Sequence, residues 1–316
     1  MSRATDKQLA SVPATAARIN QDTVCIDLQI TSPGVRRKLD VKRLNVEADR
    51  EMIHAGKDII ESAAMQPIWN RDGRMRDRLK SRAVPVSMLR PGLYLVPVQL
   101  IPQIEREMEQ YQSEREELID AFFARYPELI AAARERLEPQ GLFDADDYPP
   151  AEQLRRAFAV RLRYLTFNVP AALEQVNRRL FERERERAER EWQEAVTEIR
   201  EALRLGFADL VGKMVNRLGE TKNGTRKALR DDALEEMNDF LAIFEARNLT
   251  NDAELSRLVT AARNVMNGLS VDALRGKNSA ALRQDVRRDF EQLGAKLETL
   301  VKPAGRRVRF DDDDEQ

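Results

Sequence analysis

The sequence predicts a mainly α-helical protein with a small α+β portion: a long coiled-coil-like helical hairpin, joined to a C-terminal helical bundle. Three observations predict it. Apolar residues recur every three or four positions through most of the chain after Pro102, the period of an amphipathic helix. Alternation with period two is confined to short stretches near 22–30, 83–101 and 160–169. Charged residues make up 34% of the 316 residues and aromatics only 6%, which suits long solvated helices.

Taken in order, residues 1–20 read as a flexible arm and 21–101 as a small α+β region. In 22–30, Val24, Ile26, Leu28 and Ile30 share one face of a strand, and Thr23, Cys25, Asp27 and Gln29 share the other. Ser32-Pro33-Gly34 supplies a turn, and a short second strand or irregular segment follows. Residues 47–64 carry helical spacing, with Gly56 as a weak point. Pro91-Gly92 between two apolar runs marks a reverse turn, and Pro85 and Pro97 push those runs towards sheet edges.

Residues 102–220 form the long-helix region. As one helix, 102–138 would span about 55 Å, with Pro127 predicting a kink or break near Tyr126. A loop over 139–150, a short helix over 151–158 and a strand over 160–169 follow. The pattern over 171–218 is either one helix or two. Its stripe of Val196, Ile199, Leu203, Phe207, Leu210 and Met214 steps by threes and fours and is a candidate partner surface, in competition with a core role. The run 182–191, ERERERAERE, is polar all round, as in a helix that protrudes or bridges. Residues 225–301 predict a helical bundle with helices near 226–247, 252–267 and 279–301, the second opened by a capping-box spacing at Asn251 and Glu254. Residues 302–316 read as a disordered acidic tail.

Composition narrows function. Lys and Arg total 53 against 54 Asp and Glu, so the formal net charge of −1 does not favour a bulk polyanion binder. One cysteine, Cys25, and one histidine, His54, leave no disulfide framework and no His/Cys-rich zinc site. No catalytic constellation or phosphate-binding glycine loop emerges, so no catalytic, cofactor or metal residue is assigned. Asp144, Asp146 and Asp147 read as a solvated acidic loop. Arg71, Arg74, Arg76, Arg78, Lys80 and Arg82, preceded by Trp69, form the candidate polyanion contact, against a half-buried helix with a solvated basic face. The absence of long apolar runs and of an N-terminal apolar core leads to the expectation of a cytoplasmic chain with no membrane partner.

The segments DTVCIDLQITSPGVRRKLDVKRLN, RMRDRLKSRAVPVSMLRPGLYLVP and VRLRYLTFNVPAAL, in that order, resemble a family of uncharacterised bacterial and phage proteins. Members are often encoded beside a MoxR-type or cobaltochelatase-like AAA+ ATPase. The resemblance covers roughly 20–220 and transfers no site residue. It implies a non-enzymatic accessory subunit or adaptor of such an ATPase. A nucleic-acid-binding module and a self-assembling coiled coil are the alternatives.

Overall fold

Alternating apolar residues build the centre of the sheet. A computed structural model describes residues 15–39, 55–166, 169–219, 231–276 and 279–301. Residues 15–22 are helical (α1), with Ala16 and Ile19 buried, so the end of the expected flexible arm is a packed helix. β1 (Thr23–Ile30) follows directly. It pairs antiparallel with β4 (Leu93–Pro97) on one side and β5 (Val160–Leu165) on the other. As the middle strand it is covered on both faces, and Cys25 and Ile26 are both fully buried. A second, two-stranded sheet pairs β2 (Arg36–Leu39) with β3 (Ala55–Asp58).

β3 corrects the helix expected over 47–64. Residues 55–58 are extended, and α2 begins only at Ser62 and runs to Arg82. Pairing with β2 overrides the helical spacing. Lys57 Nζ fixes the strand further by donating to Leu142 O at 2.7 Å and pairing with Asp147 Oδ2 at 2.6 Å. Ile59 and Ile60 are buried in the link from β3 to α2. Residues 47–54, including His54, lie outside the described residues, as do the acidic tail and the start of the helix expected at 226.

Of the two strands expected in 83–101, β4 forms and the first is reduced to a bridge between Val84 and Leu95. Gly92 adopts φ 88°, the left-handed value a reverse turn favours in glycine. α3 (Ile101–Leu137) then runs for 37 residues through Pro127 without a break, which leaves a kink as the other half of the expectation. Buried Phe122 and Tyr126 anchor the turn before the proline among the rings of Phe123 and Phe158. Nor does topology require a break. Arg115 Nη2 donates to Thr31 O at 2.9 Å, so the end of β1 meets α3 near its middle. Only about 33 Å of helix lies beyond that point. Residues 138–159, including α4 (Ala151–Arg155), recross that distance and deliver β5 to the sheet.

The pattern over 171–218 is two helices, α5 (Ala172–Val176) and α6 (Arg178–Leu218). They part at Asn177, which is extended (φ −156°, ψ 101°) and caps α6 by accepting from Leu180 N. The bundle adds α7 (Asp231–Arg247), α8 (Ala253–Met266), the short α9 (Val271–Arg275) and α10 (Ala280–Leu300). α8 is capped by Asp252 rather than Asn251, because Asn251 takes φ 51° to turn the chain and leaves Asp252 Oδ1 to accept from Leu255 N.

The expected hairpin of two long helices is replaced by a different pairing. α3 packs along α2, and α6 packs along α10. The C-terminal two-thirds of α6 are therefore part of the bundle core. The sheet is the shared wall. Val96 faces a core built with Met75 and Leu79 of α2 and Ile104 and Met108 of α3. Its neighbour Leu95 faces the bundle core of Phe207, Phe244 and Phe290. A third cluster joins Met65, Ile68, Ile119 and Phe122 under the acidic loop.

Candidate functional site

α2 carries one stripe of Met65, Ile68, Asp72, Met75, Leu79 and Arg82 into the protein. Two of these six positions are ionisable, and each is satisfied differently. Asp72 Oδ1 accepts from Tyr111 Oη at 2.7 Å and from Arg115 Nε at 2.8 Å. Burial, then the bond to the Asp72 carboxylate, pushes the Tyr111 phenol well above its usual range. Arg82, 2% exposed, donates to Glu107 Oε1 at 2.9 Å and lies 3.7 Å from Asp239 Oδ2.

Beside Arg82 opens a groove. It holds about 1010 Å³ between α2 and α3 on one wall and α6 and α7 on the other. The floor is apolar or small, with Leu203, Gly206 and Leu210 from α6. Its walls are charged with both signs. Arg71 Nε pairs with Glu114 Oε2 at 2.6 Å and its guanidinium lies 5.1 Å from the Tyr111 ring centre. Arg78 pairs with Asp239 across the groove. Lys213 Nζ sits 3.2 Å from Asp209 and 3.4 Å from Glu236, which raise its pKa, the hydrogen bond to Asp209 most strongly. Arg247, at the last turn of α7, also lines the groove, and its side chain has no hydrogen-bond or ion-pair partner among the described residues. Burial holds its pKa down to about 10, and the nearby Arg82 cation pushes it the same way.

The basic residues expected from sequence are thus split. Arg71, Arg74, Arg78, Lys80 and Arg82 line the groove; Arg76 is exposed outside it. Arg82 is withdrawn from any surface polyanion contact by its burial. Trp69 is not a free stacking platform, since it is half-buried and donates to Ser32 Oγ at 3.3 Å. The candidate partner stripe is overturned. Val196, Ile199, Leu203, Phe207 and Met214 are at most 3% exposed and Leu210 packs against them, all within the chain's own bundle core. Partner helices α7, α8 and α10 of the same chain already cover that face.

Sequence reasoning missed Arg247. The signal was present: it continues the buried face of Phe240, Ile243 and Phe244, so an arginine stands where the period calls for an apolar side chain. Asp72, Arg82 and Arg115 interrupt buried stripes in the same way.

Outside the groove, the first turns of α6, residues 178–191, bury no side chain and project as a polar arm. Arg178–Glu182, Arg185–Glu189 and Arg187–Glu191 pair along it at i,i+4. At its foot a cleft of about 390 Å³ is lined by Met88, Leu89, Leu173 and Trp192. Val176 beside it is 86% exposed.

Among the described residues no group of three or more His, Cys, Asp or Glu could hold a metal ion, and Asp147 of the acidic loop is engaged with Lys57. Cys25 is buried, and burial, together with Asp27, raises its thiol pKa against a smaller opposing effect of its contact with Tyr94. No described helix is long and apolar enough to cross a membrane. Comparison with protein-family models, curated proteins and solved structures finds no match for this chain.

Proposed function

We propose that the chain is a non-enzymatic interaction protein, an accessory subunit or adaptor of a MoxR-like AAA+ ATPase in a phage or bacterial system. The arm of α6 carries the interaction part of this reading. Residues 178–191 contribute nothing to the core, yet they extend the helix by about 20 Å into solvent. An apolar cleft with Trp192 and Leu173 lies at the foot of that charged arm, the combination of buried anchor and polar rim that protein interfaces use. The choice of ATPase rests on the family resemblance of residues 22–46, 74–98 and 160–173.

The test is reconstitution with a MoxR-like ATPase from the same genome. Binding, with a change in ATP turnover, is the expected result, weakened at least tenfold by charge reversal of Arg183, Arg185 and Arg187. A full-length chain that neither binds nor alters turnover ends the proposal.

A nucleic-acid-binding module is the second reading. Arg74, Arg76 and Lys80 favour it as exposed cations on one helix. Reversing these three charges should abolish any duplex binding; unchanged binding removes the reading. Self-association through the α6 stripe would require opening the bundle core.

A further inference from the structure

At one end of the groove the Nε atoms of two arginines, Arg82 and Arg247, are buried without a hydrogen-bond partner. The Arg247 side chain makes no hydrogen bond and no ion pair among the described residues, and its Nε is buried. Arg82 is 2% exposed, and its Nε is likewise buried without a partner, although its Nη atoms reach Glu107 and Asp239. Asp239 is in turn shared with Arg78. Two carboxylates therefore serve two of the three guanidinium groups, Arg78 and Arg82, and Arg247 is the one left over. Arg247 is half-buried, and a partly desolvated cation without a counter-charge is costly, as its depressed pKa reflects.

We infer that this end of the groove binds one small oxyanion, a phosphate or a carboxylate, through the Arg247 guanidinium, with the buried Arg82 cation adding its field from behind. Guanidinium forks match both groups in a planar, two-point geometry. The groove has room for a small-molecule ligand. Its acidic residues Glu114, Asp209, Glu235 and Glu236 oppose a long polyanion, while Glu107 and Asp239 beside Arg247 are already engaged by Arg82 and Arg78. The site does not depend on the adaptor reading.

The test is thermal unfolding of the full chain titrated with sodium phosphate and, separately, sodium acetate, each against sodium chloride at matched pH and ionic strength. A ligand bound only by the folded state raises the midpoint saturably. The expected result is such a rise with at least one oxyanion, lost in Arg247→Gln and weakened at least tenfold in apparent affinity in Arg247→Lys. Which anion acts at lower concentration identifies the headgroup. Identical curves in oxyanion and chloride overturn the inference. So does a rise of equal size in Arg247→Gln, which would mark general salt stabilisation. Should Arg247→Gln fail to fold, Arg247→Lys decides: an unchanged affinity there overturns the site.

Discussion

Asp72, Tyr111 and Arg115 close a buried polar network in the contact between α2 and α3. Arg115 also reaches Thr31 O, so the network fixes the end of β1 against both helices. With side chains 4% exposed on both partners, neither charge has water to fall back on. Arg115→Met leaves a buried carboxylate alone and should cost about 3–5 kcal/mol in urea unfolding. Tyr111→Phe removes one bond to a charged acceptor and should cost about 1.5–3 kcal/mol. The Asp72→Leu/Arg115→Leu double variant should be milder than Arg115→Met, because it strands no charge. A second buried pair titrates usefully. Burial alone would raise the Asp252 pKa, but the bond from Arg204 Nε at 2.6 Å and the Leu255 amide outweigh it, and the net shift is downward. A carboxyl lowered in the folded state adds stability above its unfolded pKa and loses it as pH falls through the folded value. Asp252→Asn keeps a capping side chain and removes the charge. Its stability deficit should be full at pH 7 and shrink towards zero below pH 4, as read by urea unfolding at each pH.

Among elements, those written in a single strong period were legible. β1, β5, α3 and the bundle helices follow directly from which residues are apolar and where they recur. β3 was not, since AGKD has no strand pattern and is extended only because β2 offers a partner and Asp147 a charge for Lys57. The choice of helix partners was equally hidden: periodicity says that a stripe will be buried, not against what. That is why the α6 stripe could read as a partner surface, while the groove, assembled from four helices, could not be read at all. The α6 arm was legible in a stronger sense. ERERERAERE has no face to bury, and it buries none. Its order draws on local sources, the Asn177 cap and the i,i+4 ion pairs, beside the packing of α5 against it. Asn177→Ala should therefore cost about 1 kcal/mol locally. Amide exchange should speed up several-fold over 180–186 while the global melting midpoint stays put. A matching fall in the midpoint would mean that the arm is coupled to the core.

The whole molecule has two main cores separated by a wall one strand thick, and the question is whether they unfold together. The groove argues for independence, because it removes contact between α2/α3 and α6/α7 and fills the gap with charges that water can reach. Two backbone segments argue the other way. In β4, Leu95 faces the bundle core and Val96 the α2/α3 core. In α7, Ile243 belongs to the sheet-side core and Phe244 to the bundle. Neither core can lose its order without releasing a strand or helix that the other needs. Arg18 of α1 adds a bond to Leu249 O, tying the N-terminal helix to the end of α7. Burial of these apolar side chains, each worth about 1.5–3 kcal/mol, outweighs the exposed ion pairs across the groove at about 0–1 kcal/mol each. The chain should therefore unfold as one unit. Its two tryptophans allow a clean measurement, because Trp69 packs on the α2/α3 side and Trp192 in the bundle. Fluorescence of Trp69→Phe reports the bundle and that of Trp192→Phe the sheet side. After correction for the stability change of each variant, measured by circular dichroism on the same samples, each fluorescence midpoint should coincide with its dichroism midpoint. A fluorescence transition displaced from the dichroism transition in either variant would show that the groove, not the shared strand, sets the cooperativity of the fold.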